Sequence, residues 1–459
     1  MPPDNSRVPS RRDVLRAGMG AAVLAAIPST LRAGVERVRG APDGRYLDAA
    51  VRAGRWIQAT AIDAPGGKTW PAVPPDATTA QTNLYSGSPG VVLFLLELYR
   101  ATDDRAWLDL AVSGADHLAS TLPDTLGDRD SAGLYTGLAG IAFTMAETSR
   151  ISQQRRFEEA EAKALGVIAS GARSVGHGVE WTEVTDIISG SAGTGLYLLW
   201  ASSRGNALAR ELAVRAGHRL LEREHRTGDA SLWMMSSSFT RNMPNFSHGT
   251  AGVAYFLATL AGETRDQALL DGALRGARYL QSIASTTAGD GRRIFHNDPD
   301  GRELYYLSWC HGPAGTARLF HRLGLVTRDA GWSAWVPKLA QGTIASGVPE
   351  RSAGFWNNIS QCCGNCGVSD FFVSLHGLTR DAAYLEFARQ CADDTLARAT
   401  PDGDGLKWVQ AENRVSPNDL LAQTGLMQGA AGVGLAMLRL DGALRRRAPT
   451  IVLPDAPYA

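Results

Sequence analysis

Seven times along this chain a Gly-x-x-Gly is followed at once by an apolar run. The copies are LYSGSPGVVLFLLEL, LYTGLAGIAFTMAE, IISGSAGTGLYLLW, FSHGTAGVAYFLATL, WCHGPAGTARLFHRL, CCGNCGVSDFFVSL and LMQGAAGVGLAMLRL. Their first glycines are Gly87, Gly137, Gly190, Gly249, Gly312, Gly364 and Gly429, spaced by 50 to 65 residues. A single Gly-x-x-Gly says little, but a regular series of this period marks a repeat architecture. Each copy reads as a loop entering a helix, the first glycine taking backbone angles other residues resist and the second packing closely at the helix start. The run that follows, such as Val91 to Leu98, is apolar on nearly every face, as in a buried helix.

Between copies lie segments such as NALARELAVRAGHRLLERE and RDQALLDGALRGARYLQSIA. Their apolar residues fall at three- and four-residue steps, which reads as an amphipathic outer helix. One inner and one outer helix, repeated seven times, imply an all-α fold: an α/α toroid of helical hairpins with the glycine loops at one mouth. An open solenoid would need more polar terminal repeats than these. The toroid is expected over 40–445, with a tail over 446–459 that breaks the pattern and wraps the outside.

The N-terminus, SRRDVLRAGMGAAVLAAIPSTLRAG, places Arg11–Arg12 before a short apolar run. That order predicts a twin-arginine-type signal over 1–33 and an exported protein, periplasmic or extracellular. The run is too short for a membrane span, so no stable span is expected after signal removal. Lys+Arg and Asp+Glu balance at 46 each, which gives no field favouring nucleic acid. Five cysteines, three of them within five residues, suit metal or thiol chemistry better than a disulfide scaffold.

Aligning the copies puts Ser86, Thr136, Ser189, His248, His311, Cys363 and Gln428 just before the first glycine. One place earlier stand Tyr85, Tyr135, Ile188, Ser247, Cys310, Cys362 and Met427. In a ring, equivalent positions converge, so Cys310, Cys362, Cys363, His311 and His248 meet around one atom. Three thiolates would hold a zinc and leave one position open. Cys366 falls where the other copies carry Ala or Pro and reads as packing; Cys391, on an outer helix, reads as core. Taken alone, Asp186 is a cap or turn residue.

These motifs resemble the lanthionine synthetase C-like family, in which the fold is an α/α toroid with zinc at its mouth. The family's ligands are a cysteine in the fifth motif and a Cys-His pair in the sixth. Cys310 and Cys362 match the cysteines, and the family's histidine falls on Cys363, a departure that implies a three-thiolate site. The family's histidine near the metal matches His248, and its acid/base aspartate matches Asp186. Trp309, His311 and Asn365, beside the ligand positions, are expected to contact substrate. The resemblance implies one zinc per chain and addition of a peptide or small thiol to a dehydroamino acid, giving a thioether, by a monomeric enzyme. A thiol-, peptide- or metal-binding module without turnover is the second reading. A carbohydrate-active toroid would need two carboxylates facing each other, and only Asp186 and Asp370 lie near the loops.

Overall fold

The computed structural model describes residues 44–127 and 131–458. The expected signal segment lies outside the described residues. The inner helices are α2 (Ser88–Thr102), α4 (Leu138–Ser152), α6 (Ser191–Ser203), α8 (Thr250–Thr264), α10 (Pro313–Thr327), α13 (Asn365–Thr379) and α15 (Ala430–Leu444). Outside them pack α3 (Arg105–Ser120), α5 (Arg155–Ser170), α7 (Ala207–Glu222), α9 (Gln267–Ile283), the short α11 (Ala330–Ser333) with α12 (Trp335–Ile344), and α14 (Ala382–Ala397). The first described helix, α1 (Arg45–Thr60), supplies the outer partner of α15, and α15 also packs on α2. The ring is therefore an α/α toroid that closes on itself.

Sequence explains the two layers. In α2 every residue from Ser88 to Leu98 is buried, because neighbours cover it on all sides. In α9 the buried set is Leu269, Gly272, Ala273, Gly276, Ala277 and Leu280, one stripe at helical spacing. Two-residue turns reverse the chain between layers. Asp104, Asp266 and Asp381 cap the outer helices by accepting a backbone N–H two residues on.

The glycines work differently from the reading above. At the first glycine of each motif φ is negative, from −101° at Gly190 to −144° at Gly137, so no left-handed angle is needed. Close approach is what excludes a side chain: a Cβ on Gly249 would lie 1.4 Å from the Met243 carbonyl oxygen.

The loops join through their backbones. Tyr85 N–H donates to Tyr135 O (2.9 Å), Tyr135 to Ile188 (2.9 Å), Ile187 to Ser247 (3.1 Å) and Ser247 to Cys310 (2.8 Å). Cys310 donates to Cys362 (3.1 Å), Cys362 to Met427 (2.9 Å), and Met427 back to Tyr85 (2.9 Å). This hydrogen-bonded circle runs through all seven motifs at one end of the toroid.

Two further features depart from a purely helical, open-centred ring. Short two-stranded hairpins, such as Ile62–Ala64 with Gly67–Thr69, follow the outer helices. Near four of them a buried tryptophan donates its indole N–H to the end of the preceding outer helix: Trp70 to Ile57 O, Trp181 to Ile168 O, Trp233 to Leu220 O and Trp408 to Thr395 O.

The tail does not wrap the outside. Thr450 O accepts from Arg150 Nη2 (3.0 Å) and Ile451 N–H donates to Glu97 Oε1 (2.5 Å), both toward the far ends of inner helices. Farther on, Asp455 meets Arg318, and Tyr458 sits 5.0 Å from the His321 ring, on the inner helix α10. The tail thus climbs through the lumen, because charged and aromatic side chains of the inner helices give it partners there.

His321 is 1% exposed with Nδ1 unpartnered, and burial, aided by Arg322, pushes its pKa down to about 4. The unfolded imidazole titrates near 6.5, so the unfolded state binds more protons between those values and stability falls as pH drops through that window. Its full contribution is about 3 kcal/mol. Replacing it, His321→Leu, should lower the melting temperature less at pH 5 than at pH 7 relative to wild type; equal shifts at both pH values would contradict this.

Candidate metal centre

Loops five and six bring three sulfurs together. Cys310 Sγ lies 3.3 Å from Cys363 Sγ, and Cys363 Sγ lies 3.5 Å from Cys362 Sγ. All three fall within 4.8 Å of one another and are buried, forming the only such group of metal-ligating side chains among the described residues. The circle of loop hydrogen bonds sets this approach, since the Cys310 N–H to Cys362 O bond splices the two loops. Cys362 and Cys363 are neighbours, and the sixth loop turns both inward as it enters α13.

The donor set fits a metal. Ligands about 2.3 Å from a tetrahedral zinc stand about 3.8 Å apart, close to the spacing seen here. Burial pushes the Cys310 and Cys362 thiols well above their ordinary range, while hydrogen bonds from both hold Cys363 well below it. Left alone, the group can carry little charge in so dry a place. A soft divalent cation would satisfy all three as thiolates.

Supporting contacts surround the sulfurs. Ser360 Oγ accepts from the Cys363 N–H (3.0 Å) and donates to Asn358 Oδ1 (2.7 Å). Gln428 Nε2 donates to Tyr85 OH (2.9 Å) and approaches Cys363 Sγ (3.9 Å). Burial, then the charge of Cys362, pushes the Tyr85 hydroxyl up. Tyr85 and Gln428 stood in the aligned columns, but nothing in the sequence set them apart from the other copies.

A histidine–aspartate pair faces this centre. His248 Nδ1 lies 2.5 Å from Asp186 Oδ2. The other carboxylate oxygen accepts the backbone N–H groups of Ser189 and Gly190, both at 2.8 Å. Asp186 is fully buried, and both its oxygens are engaged, one by the His248 imidazole and the other by two backbone N–H groups. Because the carboxylate accepts at Nδ1, the proton stays there and Nε2 is left for chemistry. The His248 side chain is 28% exposed, open enough to meet a ligand. A positive charge on this imidazole would also favour a thiolate at Cys363.

His311 lies beside the pair, with its ring 5.7 Å from that of His248 and 4.3 Å from that of His296. It is 6% exposed, its Nε2 is 3.3 Å from Ser247 Oγ, and its Nδ1 is unpartnered. His296 stacks on Tyr306 at 4.3 Å, and burial, with Arg414 next, pushes its pKa down to about 4. Sequence reasoning passed over His296 and Tyr306, which lie outside the repeated motifs.

Two expected substrate contacts are otherwise engaged. Asn365 is fully buried, donating to Asp394 Oδ2 (2.6 Å) and accepting from Asn357 Nδ2 (2.5 Å), so it ties α13 to α14. The Trp309 indole N–H donates to Asp455 Oδ2 at 2.9 Å. Cys366 is buried and apart from the trio, its thiol pushed up to about 12 by burial. Cys391 is fully buried in α14.

The chain is thus a closed α/α toroid with a thiol-lined centre on its loops. The family model for lanthionine synthetase C-like protein matches residues 78–453, and this chain belongs to that family. Nisin cyclase superposes with a TM-score of 0.60 at 16% identity, over 91% of this chain and 100% of its own, a likeness of fold. The Lin0763 protein of Listeria innocua matches with a TM-score of 0.48 and 12% identity, over 87% of this chain and 97% of its own. No curated protein sequence matches the chain.

Purified without chelator, the protein should contain about one zinc per chain by elemental analysis. Cys310→Ser and Cys363→Ser should each lose most of it while circular dichroism stays helical, and Cys366→Ser should keep it. Full zinc retention in both ligand variants would overturn the assignment.

Proposed function

We propose that this protein is a thioether-forming enzyme that adds a thiol to a dehydroamino acid. Cys310, Cys362 and Cys363 would hold a zinc ion, which when bound supplies Lewis acidity that lowers the pKa of a substrate thiol. The observation that carries the reading is the Asp186-fixed His248 beside the three buried sulfurs.

The chemistry balances within the substrates. A thiolate adds to the β-carbon of dehydroalanine or dehydrobutyrine, forming the C–S bond and moving the electron pair to the α-carbon as an enolate. His248 accepts the thiol proton at Nε2 and returns it to the α-carbon. Asp186 keeps Nδ1 protonated and stabilises the imidazolium between those two steps. Buried His311 and Tyr306, with the half-buried His296, wall the site, which limits competing protonation by water.

The thiol partner is a cysteine-containing peptide or a small thiol, and the Arg11–Arg12 segment supports export of the folded protein, to the periplasm or beyond. A glycosidase reading loses its second carboxylate, because Asp370 pairs with Arg439 at 2.6 Å in the lumen and Asp186 is fully engaged.

Incubating the zinc-loaded protein with a thiol peptide and a dehydroalanine peptide should give the thioether adduct by mass spectrometry. His248→Ala should lower the rate at least about a hundredfold while keeping zinc. Adduct formation at the uncatalysed rate by the loaded wild-type protein would sink the enzyme reading and leave a binding module.

A further inference from the structure

The C-terminal tail comes up to the fifth motif loop, where Asp455 meets Trp309. Asp455 is 0% exposed, although it lies on a segment without helix or strand. A carboxylate so placed is stable only if its charge and lone pairs are met. Arg318 Nη1, on the inner helix α10, donates both to Asp455 Oδ2 (2.9 Å) and to the Asp455 backbone oxygen (2.7 Å). The second donor is the Trp309 indole N–H, at 2.9 Å to Oδ2, while Oδ1 has no hydrogen-bond partner.

Trp309 is the residue directly before Cys310. Its ring is 3% exposed, packed 4.9 Å from Tyr135 and 5.8 Å from Phe246, and its N–H has one partner, Asp455. Next along the chain, the Cys310 N–H donates to Cys362 O and its carbonyl accepts from Ser247 N–H. The fifth loop is thus held from two sides: its neighbours fix it within the circle of loops, and the tail fixes it from the lumen. Sulfurs 3.3 Å apart leave little tolerance for a shift of this loop.

We propose that Asp455 is a positioning residue for the metal centre, acting through Trp309 to set where Cys310 presents its sulfur. The tail is then an internal strut of the site as well as a filling for the lumen. This rests on the three cysteines being the metal-binding group, and not on the thioether reading.

The test compares zinc affinity, by chelator competition, with melting temperature for the full chain. Asp455→Ala and Trp309→Phe should each weaken zinc binding about tenfold, and the double variant should be no weaker than either single one, as for residues acting in series. Asp455→Asn keeps an acceptor for the indole, so it should hold zinc within about twofold of wild type even where its melting temperature falls. In cobalt-substituted protein, Asp455→Ala should shift the thiolate charge-transfer bands and Asp455→Asn should not. In metal-free protein, alkylation of Cys310 mapped by mass spectrometry should quicken in Asp455→Ala; this readout stands even if wild type proves to bind no zinc. A lowered melting temperature in Asp455→Ala with zinc affinity, cobalt spectrum and Cys310 reactivity unchanged would overturn the proposal.

Discussion

The circle of backbone hydrogen bonds through the seven motif loops is the constraint on which the rest of the structure depends. Each loop gives one N–H and takes one from a neighbour, and Met427 closes the circle on Tyr85. Backbone groups at that end are buried by the helices around them, so leaving them unpaired would cost about 1–3 kcal/mol each. Pairing them loop to loop satisfies the groups and fixes the rotation of every repeat. The first glycine of each motif has a more local cause, since a Cβ there would strike the backbone of its own loop, as at Gly249 against Met243.

That circle turns a repeat into a site. Helical hairpins packed in a ring need no chemistry at their loops, and three of the seven loops carry none that is evident here. Loops three to six differ, presenting Asp186, His248, Cys310, Cys362 and Cys363 from neighbouring positions. The result sets three thiols beside a histidine–aspartate pair. Neither group depends on flexible side chains: the thiols are held by short bends and the imidazole by a carboxylate with no free oxygen.

The lumen shows how the same fold disposes of its polar interior. Inner helices carry Glu97, Arg318, Asp370 and Arg439 where an apolar core might be expected, and Arg439 pairs with Asp370. The tail supplies partners for others, Ile451 N–H to Glu97 and Asp455 to Arg318. A toroid's centre is too wide for side chains alone to fill, and one strand of irregular chain both fills it and meets its charges.

Much of this was legible in the amino-acid sequence, because it follows from local chemistry repeated at a fixed period. The glycine motifs and apolar runs specify inner helices, the amphipathic stripes specify outer ones, and their number specifies a ring. Alignment of the motifs was enough to group Cys310, Cys362 and Cys363 with His248 and His311, since equivalent positions in a closed ring must converge, whereas Asp186 was singled out only by the family resemblance. Tertiary structure alone decided what depends on partners remote in the chain. Asp186 reads in the sequence as a turn residue, and only the fold shows both its oxygens engaged by His248 and the Ser189–Gly190 backbone. Trp309 and Asn365 look like substrate contacts in the sequence, yet one turns to Asp455, 146 residues on, and the other to the outer helix. The tail has no periodic pattern to announce its path, and it runs inside because only the assembled lumen offers its carboxylate a guanidinium and an indole.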